Sequence, residues 1–281
     1  MQSFVLSRPA CSCAHGDRRD CLFDVAWSIN PHMRIGAVDP KVARAQHGHF
    51  ARALRSVGAR VLQLPFIHGA FDSVFMKDSA IIAGSRAMPT TFRHEERACE
   101  TQTRVRQLRR AGFSITDAAT SNLEGGDVCV LAHRKLALLG HGVRSSRDSA
   151  RVLSQFLRCD VMPLELVDES MFHLDVALTV LGDDTLVYCP EAFTAGGRAA
   201  LSSLRFRKVI EVTRAEASRF SLNVVEVDGV IVTGTPSPEI WRELGRRVIV
   251  APLDQFQLAG GSAACLVARV NELQPGQRLA A

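Results

Sequence analysis

Apolar residues along this 281-residue chain recur in short runs separated by turn residues, a pattern typical of β-hairpins. Each of four such hairpins is followed by a stretch with helical periodicity and then by one further short apolar run. The hairpins are predicted at Val74–Gly84, Asp127–Gly140, His173–Pro190 and Leu222–Gly234. Their starts are separated by 53, 46 and 49 residues. The pattern therefore predicts a β-β-α-β repeat of roughly fifty residues.

The remaining elements complete this repeat. The predicted helices and closing strands are Glu95–Ala111 with Phe113–Ile115, Ser146–Leu157 with Val161–Leu166, Arg198–Leu204 with Val209–Val212, and Pro238–Arg247 with Val248–Ala251. A fifth unit would combine a strand at Phe23–Asn30, a helix at Pro40–Val57, a strand at Ala59–Leu64, and a final strand at Ala264–Val270 that pairs with Phe4–Arg8. Five units around one axis predict an α/β fold, a five-bladed propeller forming a single domain over residues 1–281. From periodicity alone, a doubly wound α/β sheet is the alternative.

Composition narrows the class of protein. Hydrophobic residues make up 47% and charged residues 22% of the chain, the balance of a soluble globular protein. No apolar run approaches the roughly 18 residues that span a bilayer, and the first 19 residues lack a signal-peptide core. A cytoplasmic location without a membrane partner is therefore expected. Nucleic-acid binding is not expected, because the net charge of +5 comes from scattered arginines and the chain has one Tyr and two Trp for stacking.

The eight cysteines are expected to be reduced thiols, because cytosolic glutathione keeps them so. The sequence near the N-terminus contains one candidate metal site, formed by Cys11, Cys13, His15 and Cys21. Its spacing does not match the usual paired cysteine and histidine motifs, so a structural or incidental interpretation is favoured. The sequence therefore predicts no metal.

Polar residues stand at the start of successive repeats, where apolar residues would be expected. They are Asp78, Glu124, Asp127, His173, Asp175, Asn223 and Cys265. His173 and Asp175 are two positions apart and would project from the same face of a strand. Buried acids and imidazoles are costly unless they are paired or functional. Each residue alone has an ordinary structural explanation, but their recurrence in a radial repeat predicts one central cavity.

A cavity with one thiol, one imidazole and several carboxylates suits a particular chemistry. The thiolate is the reactive form of cysteine, and a nearby cation raises its population. Surrounding carboxylates would disfavour the thiolate unless a cationic substrate compensates for them. A guanidinium group is permanently charged and pairs with carboxylates through two parallel hydrogen bonds. The residues therefore predict attack of Cys265 on a guanidinium carbon.

The motifs resemble those of a known superfamily along nearly the whole chain. They are Ile29–Met33 (INPHM), Asp72–Asp78 (DSVFMKD), Glu124–Asp127 (EGGD), Gly140–Arg144 (GHGVR), His173–Asp175 (HLD), Asn223, and Gly260-Gly261 leading to Cys265. The sequence resembles the guanidino-group-modifying (amidinotransferase, or pentein) superfamily, and most closely its dimethylarginine dimethylaminohydrolase-like branch. The resemblance implies the five-bladed α/β propeller. It also implies hydrolysis of arginine or a methylated arginine to citrulline plus ammonia or an amine, with no metal or organic cofactor.

The resemblance also implies a role for each candidate residue. Cys265 would attack the guanidinium carbon, and His173 would protonate the departing amine and then activate water. Glu124 would orient His173 or pair with the guanidinium. The expected substrate contacts are Asp78 and Asp175 on the guanidinium nitrogens, Arg144 on the α-carboxylate with Arg93 or Arg86 as a second contact, Asp72 on the α-amino side, and Asp127 and Asn223 elsewhere in the cavity.

Several alternatives stay open at this stage. Lys77 stands where the dimethylarginine enzymes tend to have an acid, and HLD is closer to arginine deiminases and amidinotransferases. Deiminase or transferase activity on a related guanidino or ureido amino acid is therefore an alternative. A non-catalytic binding protein on the same fold is another, since fold does not determine function. The partner is expected to be a small guanidino amino acid. The oligomeric state is left open, with a homo-oligomer allowed.

Overall fold

The computed structural model describes residues 1–13, 19–182 and 184–271. His15, Asp183 in the predicted third turn, and the last ten residues of the predicted domain lie outside these ranges. The strands are β1 (Ser3–Ser7), β2 (Arg60–Leu64), β3 (Ala80–Ala83), β4 (Arg86–Pro89), β5 (Ser114–Ile115), β6 (Val128–Leu131), β7 (Leu136–His141), β8 (Asp160–Glu165), β9 (Leu178–Leu181), β10 (Thr185–Tyr188), β11 (Lys208–Glu211), β12 (Val224–Val227), β13 (Val230–Thr233), β14 (Val248–Val250) and β15 (Val267–Asn271). The helices are α1 (Pro40–Ser56), α2 (Met76–Ser79), α3 (Ala98–Arg110), α4 (Ser149–Leu157), α5 (Leu174–Ala177), α6 (Ala195–Ser203), α7 (Arg214–Ala217), α8 (Pro238–Glu243) and α9 (Asp254–Gln257).

The sheets repeat one three-stranded arrangement. In the sheets β6-β7-β8, β9-β10-β11 and β12-β13-β14, an antiparallel hairpin is joined by a third strand parallel to its second strand. A helix lies between the second and third strands in sequence, as a parallel connection requires. Strands β3, β4 and β5 repeat the arrangement within a six-stranded sheet of order β2-β1-β15-β3-β4-β5. The predicted β-β-α-β unit is confirmed in these four places.

The two ends of the chain meet in the six-stranded sheet. Strand β15 pairs with β1 antiparallel, with Phe4 opposite Arg269, and β1 pairs with β2 parallel. The predicted pairing of the first and last strands is therefore confirmed. Helix α1 follows Asp39, whose carboxylate accepts hydrogen bonds from the amides of Lys41 and Val42, and Pro40 occupies the first helical position.

Two predicted strands are wrong. The first hairpin consists of β3 and β4 and not of Val74–Gly84, because the polar residues before Ala80 form the helical turn α2. Phe23–Asn30 forms no strand. Its apolar side chains are buried by ring packing and not by a β-ladder: Phe23 stacks on Phe256 at 4.9 Å and meets Phe75 edge-on at 5.9 Å.

The polar residues that were predicted to interrupt strands lie in short helical turns, each just before a strand. Asp78 is in α2, Asp127 ends a 3-10 turn that begins at Gly125, and Asp175 is in the first turn of α5. His173 is the N-cap residue of α5, with extended backbone angles. The prediction that His173 and Asp175 share a face of a strand is therefore wrong. Among the described helices, none combines the length and the apolar character needed to cross a membrane.

Candidate active site

Five of the ten predicted site residues line one small pocket. Cys265, His173, Asp78, Asp72 and Arg144 all line it, although they are up to 193 positions apart in sequence. The cavity measures about 20 Å³, which is room for about one water molecule. Segment 29–33 and the Gly260-Gly261 pair also line it. The backbone segments thus leave little free space beside Cys265 and His173.

Asn223 holds the thiol of Cys265 in place. Its side-chain oxygen accepts hydrogen bonds from the amides of Ala264 and Cys265 at 2.9 and 3.3 Å. Its side-chain nitrogen lies 3.2 Å from Cys265 Sγ and donates to the carbonyl of Asp175 at 3.1 Å. Burial, and then the charges of Asp175 and Asp78, raise the pKa of the Cys265 thiol well above its ordinary value. The resting side chain is therefore a thiol.

His173 and Glu124 form a buried ion pair. His173 Nε2 lies 2.9 Å from Glu124 Oε2, and His173 Nδ1 lies 3.6 Å from Asp78 Oδ1. Burial disfavours the imidazolium, but the carboxylates of Asp78, Glu124 and Asp127 outweigh it and raise the pKa of His173 to about 9. Burial likewise acts against the Glu124 carboxylate, yet the hydrogen bond and charge of His173 lower the pKa of Glu124 to about 2. His173 is therefore protonated at neutral pH and can act as a proton donor.

The glycine pair between Glu124 and Asp127 allows this close packing. A Cβ atom on Gly126 would lie 2.5 Å from His173 Nδ1 and 2.8 Å from Asp78 Oδ1. The Gly126 amide instead donates to Asp78 Oδ1 at 3.0 Å. A side chain at this position would therefore displace the imidazole or the carboxylate.

Asp127 lies beside the pocket and not in it. Its two oxygens accept hydrogen bonds from the backbone amides of Leu174 and Ser145 at 3.0 and 3.1 Å. Burial raises the pKa of Asp127 to about 7. Asp127 is therefore not among the residues that line the pocket: one of its oxygens holds Leu174 at the start of α5, which carries Asp175, and the other holds the backbone of Ser145.

A buried arginine that sequence analysis missed organises the acids. The Arg97 side chain is 4% exposed and lies 2.8 Å from Asp78 and 2.7 Å from Glu100, and it donates to the Asp72 carbonyl at 3.2 Å. It also lines the pocket. In the sequence it belongs to the run HEERACE, which is typical of a solvated helix face, so only its position in the fold reveals it.

The two arginines proposed as second carboxylate contacts lie elsewhere. Arg93 has an exposed side chain, and only its backbone amide reaches Glu124, at 3.0 Å. Arg86 donates to the Phe156 carbonyl at 2.8 Å and packs over the Phe156 ring. Neither side chain lines the pocket. Arg97 is the further arginine found there, but two carboxylates already bind it.

Lys77 turns toward the protein interior and pairs with Asp175. The two charged groups are 3.0 Å apart, and the Lys77 side chain is 21% exposed. Both residues line a second cavity of about 370 Å³ that does not include Cys265. Asp175 therefore lies between the two cavities, with its oxygens 3.7 and 3.8 Å from Cys265 Sγ.

Arg144 and Asp72 also line the pocket. Arg144 is 3.7 Å from Glu124, donates to the Ile29 carbonyl at 2.6 Å, and packs over the Phe172 ring. The Asp72 carboxylate accepts a hydrogen bond from the Trp27 indole at 2.7 Å, and burial raises the pKa of Asp72 to about 6. Through Ile29 and Trp27, the segment 24–33 therefore contacts both Arg144 and Asp72.

Replacing Arg97 by methionine is expected to lower the free energy of unfolding by about 3–5 kcal/mol. The reason is that the carboxylates of Asp78 and Glu100 would be left buried without the positive charge that compensates them. Urea denaturation of the purified variant measures this loss. Arg93→Met is the matched control: its side chain is exposed, so stability should hardly change. Equal stabilities of the two variants would contradict the importance of the buried network.

Comparison with known proteins relates this geometry to a family. A profile described as N,N dimethylarginine dimethylhydrolase, eukaryotic, matches residues 37–272. The chain belongs to this family. Its members are hydrolases of C–N bonds in linear amidines. The N(G),N(G)-dimethylarginine dimethylaminohydrolase of Mycobacterium tuberculosis is 32% identical over 254 residues, covering 89% of this chain and 83% of that protein. The bifunctional arginine dihydrolase/ornithine cyclodeaminase ArgZ of Synechocystis is 30% identical over 89% of this chain, which spans only 36% of ArgZ.

Solved structures agree with this assignment. The N-terminal domain of a cyanobacterial ArgZ, bound to its product, has a TM-score of 0.88 and 28% identity, with 98% of this chain and 99% of that chain covered. The dimethylarginine dimethylaminohydrolase of Pseudomonas aeruginosa, complexed with citrulline, has a TM-score of 0.76 at 19% identity, covering 95% and 98% of the two chains. The second similarity concerns the fold alone. The chain has the α/β pentein fold of these enzymes.

Proposed function

We propose that this family member hydrolyses the guanidinium group of arginine or a methylated arginine, giving citrulline plus ammonia or an amine. The observation that carries the proposal is the pocket lined by Cys265, His173 and Asp78, with Glu124 hydrogen-bonded to His173 and Asp175 beside the thiol. The M. tuberculosis and P. aeruginosa relatives are dimethylarginine dimethylaminohydrolases, and ArgZ is an arginine dihydrolase. Deiminase or transferase activity on a related guanidino or ureido amino acid, and a non-catalytic role, are not favoured by these relatives.

The charges of the pocket suit activation of the nucleophile by the substrate. Burial, together with the acids near Cys265, raises the thiol pKa and keeps the thiol protonated at rest. A bound guanidinium adds a positive charge beside Asp78 and Asp175, which lowers the thiol pKa and favours the thiolate. The thiol proton passes to solvent, and Cys265 Sγ then attacks the guanidinium carbon. Such an arrangement would keep the thiol unreactive until a cationic substrate has entered.

The proton on His173 serves the two following steps. His173 gives its proton to the departing nitrogen as the C–N bond breaks, leaving a thiouronium on Cys265. The neutral imidazole then takes a proton from water, the hydroxide adds to the thiouronium carbon, and the C–S bond breaks. Citrulline leaves, and His173 is protonated again beside Glu124. A solved ArgZ domain covalently bound to a reaction intermediate supports a covalent route.

Arg144 would bind the substrate α-carboxylate, and Asp72 would lie on the α-amino side. Arg144 is a buried arginine that lines the pocket, and its ion pair with Glu124 is long, at 3.7 Å. We also propose that the sheets form a closed five-bladed propeller as a single domain, and that the protein acts in the cytoplasm. The paired chain ends in β1 and β15 support closure.

The direct test is an assay of the purified full chain with arginine, monomethylarginine, asymmetric dimethylarginine and agmatine. Citrulline, ornithine, ammonia and methylamines are quantified by mass spectrometry. Release of citrulline from at least one amino acid substrate is expected. No turnover of any of the four compounds by protein with a reduced Cys265 would overturn the proposal.

Arg144→Gln is expected to raise KM for the amino acid substrate by about 10- to 100-fold, because a charge-assisted contact to its carboxylate is lost. Agmatine lacks the carboxylate, so its weak turnover by the wild-type protein should not fall by the same factor in the variant. An equal loss on both compounds would assign Arg144 to the support of Glu124 and not to the carboxylate.

Activity should fall as the pH rises through about 9, because the His173 imidazolium is the proton donor. Glu124→Gln removes a negative charge that favours the imidazolium, so the pKa of His173 falls and the alkaline limb of kcat moves to lower pH. Stopped assays across the pH range measure the shift. Glu165→Gln, which changes an exposed acid outside the pocket, should leave the limb in place. An unshifted limb in Glu124→Gln would remove His173 as its origin.

A further inference from the structure

A second cluster of reactive side chains lies outside the active site. Cys11, Cys13, Cys21 and His68 each direct one ligand atom toward a common point, and all four atoms lie within 4.8 Å of one another. Successive separations are 3.5 Å between the sulfurs of Cys11 and Cys13, 3.1 Å between those of Cys13 and Cys21, and 3.4 Å from Cys21 Sγ to His68 Nδ1. A disulfide requires about 2.05 Å, so these sulfurs are in contact without a covalent bond.

Three sulfurs and one imidazole nitrogen form the donor set of a structural zinc site. Zinc–sulfur bonds of about 2.3 Å in a tetrahedron place the sulfurs about 3.8 Å apart. The observed separations of 3.1 and 3.5 Å are close to this value, so shifts of a few tenths of an ångström would accommodate the ion. We propose that Cys11, Cys13, Cys21 and His68 bind one zinc ion as a Cys3His site.

Backbone hydrogen bonds hold together the segments that carry the four ligands. The amide of Cys11 donates to the carbonyl of Cys21 at 2.8 Å, and the neighbouring residues Ala10 and Leu22 form an antiparallel bridge. The amide of Gly69, next to His68, donates to the carbonyl of Asp20 at 2.8 Å. Three chain segments are thus held next to one another by their backbones, which supports a site built from all four ligands.

The position of the cluster gives the ion a structural task. Cys21 is buried and precedes Phe23, which packs against Phe75 and Phe256 next to the active-site pocket. His68 lies four residues before Asp72, which lines that pocket. A zinc ion would therefore link Cys21, just before the 24–33 segment that contributes to the pocket, to the segment that carries Asp72 and Asp78. Cys13 and His68 are exposed, so the ion can be reached from solvent.

The experiment uses the full chain with Cys265→Ser in every sample, so that zinc bound to the active-site thiol cannot contribute. Protein from zinc-supplemented cells, purified without chelator or a histidine tag, is analysed for metals by mass spectrometry. About one zinc per chain is expected. Cys13→Ser and His68→Gln, which alter exposed ligands, should reduce zinc to background. Cys99→Ser, an exposed cysteine outside the cluster, should retain it.

Two further measurements test the zinc site even if a ligand variant folds poorly. Cobalt added to the metal-free Cys265→Ser protein should give the intense thiolate-to-cobalt and tetrahedral absorption bands, and removal of zinc should lower Tm by about 5 °C. Absence of zinc, its retention by both ligand variants, copper or iron in its place, or a two-dalton mass loss from a disulfide between these cysteines would each overturn the proposal. None of these outcomes depends on the proposed hydrolase activity.

Discussion

Replacing Cys265 by serine is expected to lower kcat at least about a thousandfold, because a serine hydroxyl beside several carboxylates has no means of ionising at neutral pH. The fold should survive, since the volume change is small and Asn223 can still donate to the hydroxyl. Turnover of the preferred substrate and the thermal midpoint are measured on the same preparation. Loss of turnover with an unchanged midpoint is the expected result.

Cys99→Ser is the matched control, since Cys99 is exposed and lies outside the pocket. It should keep wild-type activity. A chloroacetamidine, which carries a cationic amidine and an electrophilic carbon, should alkylate Cys265 selectively in the wild-type protein, and a bound substrate analogue should prevent this. More than a tenth of wild-type kcat in Cys265→Ser, or equal labelling of many cysteines, would contradict the role of Cys265 as nucleophile.

Replacing His173 by glutamine is expected to lower kcat by about 10²- to 10⁴-fold, because the leaving nitrogen would depart without a proton and the water would lack a base. KM should change less, since the proposed substrate contacts are made by Asp78, Asp175 and Arg144. Glutamine can still hydrogen-bond Glu124, so the loss should not come from unfolding. Steady-state kinetics and circular dichroism measure the two effects.

The leaving group separates a chemical role of His173 from a structural one. An S-alkylisothiourea analogue of the substrate releases a thiol, which is less basic than an amine and needs less help from an acid. The first step of His173→Gln should therefore be impaired less with this analogue than with the natural guanidinium. His141→Gln, a partly buried histidine outside the pocket, should affect neither compound. An equal loss with both leaving groups would mean that His173 acts only by positioning.

The local pattern of apolar and polar residues predicts most of the regular elements correctly but fails for the short ones. The hairpins β6–β7, β9–β10 and β12–β13 follow predicted runs because alternation and turn residues act over a few positions. The prediction was wrong at Val74–Gly84, where apolar residues flank a four-residue helix that has no helical periodicity to display. Phe23–Asn30 also read as a strand, but its burial comes from rings far away in sequence.

The amino-acid sequence alone was enough to predict the repeat, the pairing of the first and last strands, and the set of thiol, imidazole and acids, with Cys265 as the candidate nucleophile. These features depend on residue type and spacing, which the chain displays directly. Only the tertiary structure decided what each group touches: Asn223 on the Cys265 thiol, Arg97 between Asp78 and Glu100, and Lys77 on Asp175. It also brought His68 to cysteines 47 or more positions away. The physical reason is that such contacts are set by how sheets and turns pack, and the charges at Cys265 follow from that packing.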